Sequence, residues 1–340
     1  MNIVRRASAV GPGVLLCVMV AIASIGVATL ETRWLGHPVI EGLVVAILLG
    51  VIVRTLWTPG ARFESGIQFT AREVLEVAVF LLGASVDLPL LLRAGPSLAI
   101  GIVLLVVLGL AASYAICRAL GLPKPLAILV ACGNSICGNS AIAAVAPVIR
   151  ANREHVASAI AFTAILGVAV VLGLPLLIGP LDLSHYQYGV LAGLTVYAVP
   201  QVLAAAFPVS LLSGQVGTLV KLVRVLMLGP VVLFFAVTHR ERGAATAAPH
   251  VQLARMLPWF IVGFLVLAGV RSAGMIPPTW VDPTRTLSGW LTVAAMAGLG
   301  LGVDIRVLGR VGRPVVMAVS GSLVVLIVLA VTMIRVLGIQ

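Results

Sequence analysis

Charge is scarce in this chain, and acid is scarcest. Only 10% of its 340 residues are charged, with 11 Asp and Glu against 22 Lys and Arg, while 61% are hydrophobic. A water-soluble domain cannot cover so much apolar surface with so few charges, so a soluble fold is excluded and the bilayer becomes the solvent. Cysteine chemistry is equally thin. Cys17, Cys117, Cys132 and Cys137 form no C-x-x-C pair and share no span with a histidine. That pattern argues against a metal site and leaves them as small buried hydrophobes. Neither a metal nor a cofactor is expected. The five histidines, His37, His155, His185, His239 and His250, all fall in loops or at span ends, so no general base is available at membrane depth. The net charge of +11 does not point to nucleic acid. The basic residues sit mostly in short loops between apolar runs, where they set membrane orientation.

What is present is a succession of apolar runs of about 20 residues, long enough to cross ~30 Å of hydrocarbon. They fall at roughly 12–30, 39–55, 73–92, 97–117, 125–149, 156–178, 188–208, 216–238, 257–274, 286–306 and 314–336. This predicts an all-α polytopic membrane protein of about 10–11 transmembrane helices, a single transporter domain over 1–340 with a polar linker at 239–255 and no soluble domain. The first run is too long for a cleaved signal segment and no A-x-A site follows it, so it reads as a span with its N-terminus in the cytoplasm. Eleven crossings then put the basic segments 54–72, 118–124, 239–255 and 306–313 in the cytoplasm and the C-terminus outside. Arg150 and Arg153 object, because they would face outward. Re-entrant hairpins at 125–149 and 188–208, entering from opposite sides, would repair this and leave the rest of the topology unchanged. The sequence leaves both arrangements open.

Three stretches carry candidate chemistry. The first is "ACGNSICGNSAIAAVAPVIRA" at 131–151, which sets Gly133, Asn134, Ser135, Gly138, Asn139 and Ser140 inside an apolar segment. Glycine weakens a helix, and Asn and Ser side chains compete for its backbone hydrogen bonds. Unwound backbone survives in a bilayer only against protein or a water-filled cavity. The stretch therefore predicts a broken helix near mid-membrane, whose second half would offer free N–H groups to an anion. Close helix packing by small residues is the plainer alternative, but it does not need two Asn and two Ser. The second stretch is "GLTVYAVPQVLAAAFPVS" at 193–210, where Pro200 predicts another break flanked by Thr195, Tyr197 and Gln201. The third is "LVKLVRVLMLGP" at 219–230. Arg224 lies deep in that span and must face a cavity or a partner, either an anion or an ion pair with Glu76 or Asp87. Lys221 could snorkel to the interface.

An internal echo accompanies these. "GASVDLPLLLRAG" at 83–95 matches "GLGVDIRVLGRVG" at 300–312, so that Val86–Asp87, Arg93 and Gly95 recur 217 positions later as Val303–Asp304, Arg310 and Gly312. The two copies run in opposite directions through the membrane, an inverted repeat of the kind found in secondary transporters.

Taken together, "GNSICGNSAIAAVAPVIRA", "TVYAVPQVLAAA", "VKLVRVLMLGP" and "MAGLGLGVDIRVL" resemble the YeiH-type sulfate exporter family of bacterial inner-membrane proteins, over roughly residues 40–335. The resemblance implies about ten or eleven helices and distant kinship with bile-acid/sodium symporter-like transporters that carry two crossed, broken helices. It departs at one place. Many members have His-Glu where Tyr197 and Ala198 stand and Ala where Pro200 stands, so a coupling role for that pair does not transfer. The remaining acids in or near spans are Glu41, Glu73, Glu76, Asp87 and Asp304.

The expectation is a secondary transporter of a small anion, first sulfate or an organosulfonate by resemblance, otherwise bicarbonate or a carboxylate. The substrate ligands would be Asn134, Ser135, Gly138, Asn139, Ser140, Tyr197, Gln201 and Arg224, with Glu76, Asp87, Lys221 and Asp304 as coupling or ion-pair candidates. The lipid bilayer is the other partner, and a homodimer stays open. An enzyme is disfavoured: "GLGVD" at 300–304 has one residue too many for a G-x-G-D protease motif, and Ser135 has no activating His. A channel lacks an evident selectivity ring.

Overall fold

A computed structural model describes residues 3–35, 42–85, 95–239, 259–303, 306 and 313–339. The described residues are helical almost throughout, with no strand among them. In chain order the helices are α1 (Ile3–Leu35), α2 (Gly42–Leu56), α3 (Ala61–Phe69) and α4 (Leu75–Leu82), with a π turn at Thr70–Val74 joining the last two. Then come α5 (Gly95–Ala119), α6 (Lys124–Cys132), a π turn at Gly133–Cys137, α7 (Asn139–Val145), α8 (Arg153–Gly173) and α9 (Ile178–Leu181). The remainder are α10 (His185–Thr195), α11 (Val199–Ala206), α12 (Leu211–Leu226), α13 (Leu228–Thr238), α14 (Trp259–Ser272), α15 (Pro278–Leu301) and α16 (Arg313–Val336). Five stretches are long and apolar enough to cross a membrane: Val10–Glu31, Ser97–Ala119, Arg153–Leu181, Leu211–Thr238 and Arg313–Val336. Shorter apolar helices lie at Gly42–Leu56, Lys124–Cys137 and Trp259–Ser272.

The chain divides into two compact units, Met1–Leu92 with Trp259–Arg306, and Arg93–Pro258 with Val307–Gln340. The first unit packs α1 to α4 with α14 and α15 through glycine contacts. On α3, Gly66 lets its backbone meet α1 at Gly13, and on α15 Gly300 does the same for α2 at Gly50. Polar ties are few. Trp259 Nε1 donates to Glu76 Oε2 at 2.7 Å, Arg72 lies 3.7 Å from the other carboxylate oxygen, and Ser288 Oγ donates to the Ala78 carbonyl. Asp87 and Asp304, with most of the 83–95 and 300–312 echo, lie outside the described residues.

The second unit contains both broken segments, and they turn back on themselves. A continuous helix would separate residues 133 and 142 by about 13 Å along its axis. Instead Ile142 Cδ1 lies 3.1 Å from where a β-carbon on Gly133 would stand. Likewise Tyr188 Oη donates to the Ala205 carbonyl at 2.8 Å, across 17 residues that a straight helix would spread over ~25 Å. Both are re-entrant hairpins. The first comprises α6 and α7, the second α10 and α11. This hairpin shape is the second of the two arrangements the sequence left open for 125–149 and 188–208, and both segments are broken, as the resemblance implied.

Their bases lie at opposite ends of the unit. Hairpin 1 starts after α5, where Gly121 (φ 81°) closes the helix through the bonds Gly121 N to Arg118 O and Leu122 N to Cys117 O. It returns to that end at Arg150, and α8 leaves from there behind the Asn152 cap, whose side chain accepts from His155 N. With α9, α8 runs the length of the unit. Hairpin 2 starts at the far end with a Ser184–Gln187 capping box, and Ser213 Oγ on α12 donates to the His185 carbonyl at 2.7 Å. From that base α12 climbs alongside α10: Gly189 abuts Ser213 and Val216, while Gly193 abuts Gly217 and Val220. Two hairpin-plus-helix modules, 124–181 and 185–238, therefore run in opposite directions. Helices α5 and α16 are antiparallel beside them, with Gly101 against Met333 and Gly321 near Ile116.

Candidate functional site

The two tips meet halfway along α12. In hairpin 1 the chain passes from α6 through the π turn to Gly138, whose φ of 63° and ψ of −124° suit glycine alone, and there the helix breaks. In hairpin 2, α10 ends at Thr195, Val196 and Ala198 are extended, and α11 begins at Val199. Pro200 thus sits in the first turn of α11, where its missing N–H costs nothing. It follows the break instead of creating it.

Arg224 and Lys221, both fully buried, lie between these tips. Arg224 Nε donates to the Ser135 carbonyl at 2.8 Å, and its Nη2 donates to that of Asn134. Its Nη1 faces the carbonyls of Leu194, Gly193 and Val196, the last two at 3.3 Å. Lys221 Nζ donates to Ile136 O at 2.7 Å and Val196 O at 2.9 Å. The reason is electrical and stereochemical. Each first half-helix ends with free carbonyls carrying about half a negative charge, and one turn of α12 presents two cations to both. The guanidinium fork of Arg224 therefore holds backbone, and Glu76 is not its partner, being bonded to Arg72 and Trp259. Nor does Lys221 snorkel.

The other expected ligands divide into two groups. Asn139 and Ser140 are exposed at the start of α7, with Asn139 Oδ1 accepting from Thr163 Oγ1 of α8 at 2.5 Å. Asn134, Ser135 and Tyr197 are buried, and each keeps a side-chain oxygen without a partner among the described residues. Asn134 Nδ2 reaches the Val319 carbonyl at 3.5 Å. Gln201 Oε1 accepts from Ala198 N at 3.2 Å and so caps its own half-helix; its amide packs on Gly167 of α8. Cys137 is buried at the end of the π turn, next in the chain to Ile136, whose carbonyl Lys221 holds. Thr163 and the carbonyls of 193–196 were not singled out from the sequence. A threonine inside "AIAFTAILG" is the usual helix filler, and carbonyls leave no mark in a sequence.

Comparison with known proteins places this arrangement. The family model described as Conserved hypothetical protein 698 matches residues 12–319. A UPF0324 membrane protein of Bradyrhizobium diazoefficiens is 52% identical over 98% of this chain and 94% of its own. One from Brucella suis biovar 1 is also 52% identical, over 96% of this chain and 97% of its own. The UPF0324 membrane protein TauZ of Paracoccus denitrificans is 35% identical over 87% of this chain and 88% of its own. No solved structure matches. With its helices, its apolar spans and these relatives, the chain belongs to the YeiH-type UPF0324 family of membrane proteins.

Proposed function

We propose that the protein is a secondary transporter that carries a small anion across the bacterial inner membrane, binding it where the two hairpin tips meet. One observation carries this reading: two buried basic side chains stand at the tips with no carboxylate beside them among the described residues. The described acids of this unit are Glu154 and Asp182, both exposed and at opposite ends. The two carbonyl-bearing helix ends supply about half a negative charge each, enough to offset Arg224, which stays charged at any accessible pH. A charge on Lys221 is then unmatched. An anion beside Asn139 and Ser140, which are exposed three and four residues past Ile136, whose carbonyl Lys221 holds, completes the balance. Opposed hairpins, each reaching mid-depth from its own end, also fit a site served from both sides of a membrane. Sulfate or an organosulfonate remains the first candidate, from the family resemblance, and a carboxylate or bicarbonate the second.

Orientation follows from the hairpins. Arg118, Lys124, Arg150, Arg153 and Arg313 share one end of the unit, and by the positive-inside rule that end is cytoplasmic. The objection raised by Arg150 and Arg153 disappears, and the N-terminus stays in the cytoplasm.

The test is a thermal-shift screen of the purified protein against sulfate, sulfite, taurine, bicarbonate and small carboxylates, followed by counterflow in proteoliposomes. A bound anion raises the melting temperature by mass action. Ser140→Ala should weaken that anion about tenfold, the worth of one charge-assisted hydrogen bond. If none of these anions shifts the melting temperature, the anion reading fails.

A further inference from the structure

The hydrogen-bond count at Lys221 does not close for an ammonium group. Its Nζ has two partners among the described residues, the carbonyls of Ile136 and Val196. An ammonium carries three N–H donors and a neutral amine two. Among the described residues a third donor finds no acceptor and a second positive charge finds no carboxylate. The charged or titratable groups facing Lys221 are Arg224 on its own helix, Cys137 on hairpin 1 and, next to Arg224, Tyr197 of hairpin 2. The other packed elements direct theirs elsewhere. Tyr188 of α10 donates to Ala205, and on α5 Arg118 reaches the Leu122 carbonyl while Cys117 is buried there. Tyr114 of α5 is half-exposed, and α11 has no titratable side chain.

We propose that Lys221 is the coupling group of the anion site: a proton binds to its Nζ when the anion arrives and leaves when the anion leaves. This rests on the reading of the tips as an anion site. The step balances simply. The amine lone pair takes one proton from the aqueous phase to give –NH3+, no bond to carbon changes, and no redox partner is involved. A monovalent anion would then move without net charge, and a divalent one with a single negative charge. Arg224 cannot take this role, because it never releases its proton under these conditions. Its permanent charge holds the two tips together in both states, while Lys221 answers to the ligand.

The experiment is calorimetric titration of the wild-type protein and of Lys221→Arg with sulfate and with methanesulfonate, neither of which titrates near neutral pH. Each titration is repeated in buffers of different ionisation enthalpy, so that the dependence of heat on buffer counts the protons taken up. The wild type should take up close to one proton per anion near neutral pH, and its Kd should rise about tenfold per pH unit above that. Lys221→Arg, permanently charged, should bind with no proton uptake and no pH dependence in that range. Wild-type binding without proton uptake overturns the proposal, as does unchanged uptake in Lys221→Arg. Because Arg is bulkier in a closed site, Lys221→Gln serves as the second variant. It should bind weakly and without pH dependence, and a Lys221→Gln protein that keeps the wild-type pH profile also overturns the proposal. Absence of any anion binding by the wild type rejects the site itself, which is a different result from binding without protons.

Discussion

At the scale of single residues, the tips are held by groups that cannot be replaced one for one. Arg224 makes five hydrogen bonds to backbone carbonyls of two separate hairpins. Removing it leaves several buried acceptors without donors, at about 1–3 kcal/mol each. Arg224→Ala should therefore lower the melting temperature sharply, while Arg224→Lys, with three donors and no fork, should recover only part of the loss. A Leu or Ala variant with wild-type thermal stability would show that the carbonyls find other donors. Gly138 is equally constrained: its φ of 63° excludes an ordinary side chain, and a β-carbon there would lie 3.3 Å from that of Tyr197. Gly138→Ala should cost about 1–3 kcal/mol, read as a fall in melting temperature without a change in the substrate that protects.

Among the elements, hairpin 2 depends on glycines that let backbone meet backbone. A β-carbon on Gly193 would come within 2.6 Å of the Gly217 carbonyl and 2.7 Å of Val220 Cβ. A β-carbon on Gly217 would meet both arms, 2.9 Å from Val202 Cγ1 and 3.1 Å from the Gly189 carbonyl. Gly193→Ala should push α10 off α12, costing about 1–3 kcal/mol of packing strain and displacing the carbonyls of 193–196 from Arg224. Melting temperature and anion affinity should fall together, and a loss of neither would mean that the contact is loose. Much of this was legible in the sequence. The Gly, Asn and Ser density of 133–140 placed the first break within that stretch and the second half-helix at Asn139, because special backbone geometry demands special residues, but the first half runs on past Gly133 to Cys137. Pro200 pointed to the second break but misplaced it, since proline marks the first turn of a helix as readily as a kink. Whether each break turns back or continues was undetermined from span lengths alone. That choice lies in contacts such as Tyr188 with Ala205, which no periodicity records. The depth of Arg224 was visible too, but its partners, being carbonyls, were not.

For the whole molecule, the hairpins predict an accessibility pattern that eleven full crossings do not. Single cysteines at 124 and 151 should label from one face, and those at 185 and 208 from the other; the four native cysteines are buried and give little background. Labelling of 124 and 151 from opposite faces would restore the spanning arrangement. The cytoplasmic assignment of the first pair can be read in the same assay with an impermeant reagent. One feature of the site reaches further still. Both tips are pinned to the same turn of α12 by Arg224, and the Val196 carbonyl is shared by Arg224 and Lys221. Two independently hinged gates are not available to such an assembly, because opening either tip alone would strip the cations of half their acceptors. In the transporter proposed above, the hairpins and α12 would therefore move as one body. Spin labels at 151 and 208 should then keep a constant separation through the transport cycle, whatever else in the protein moves.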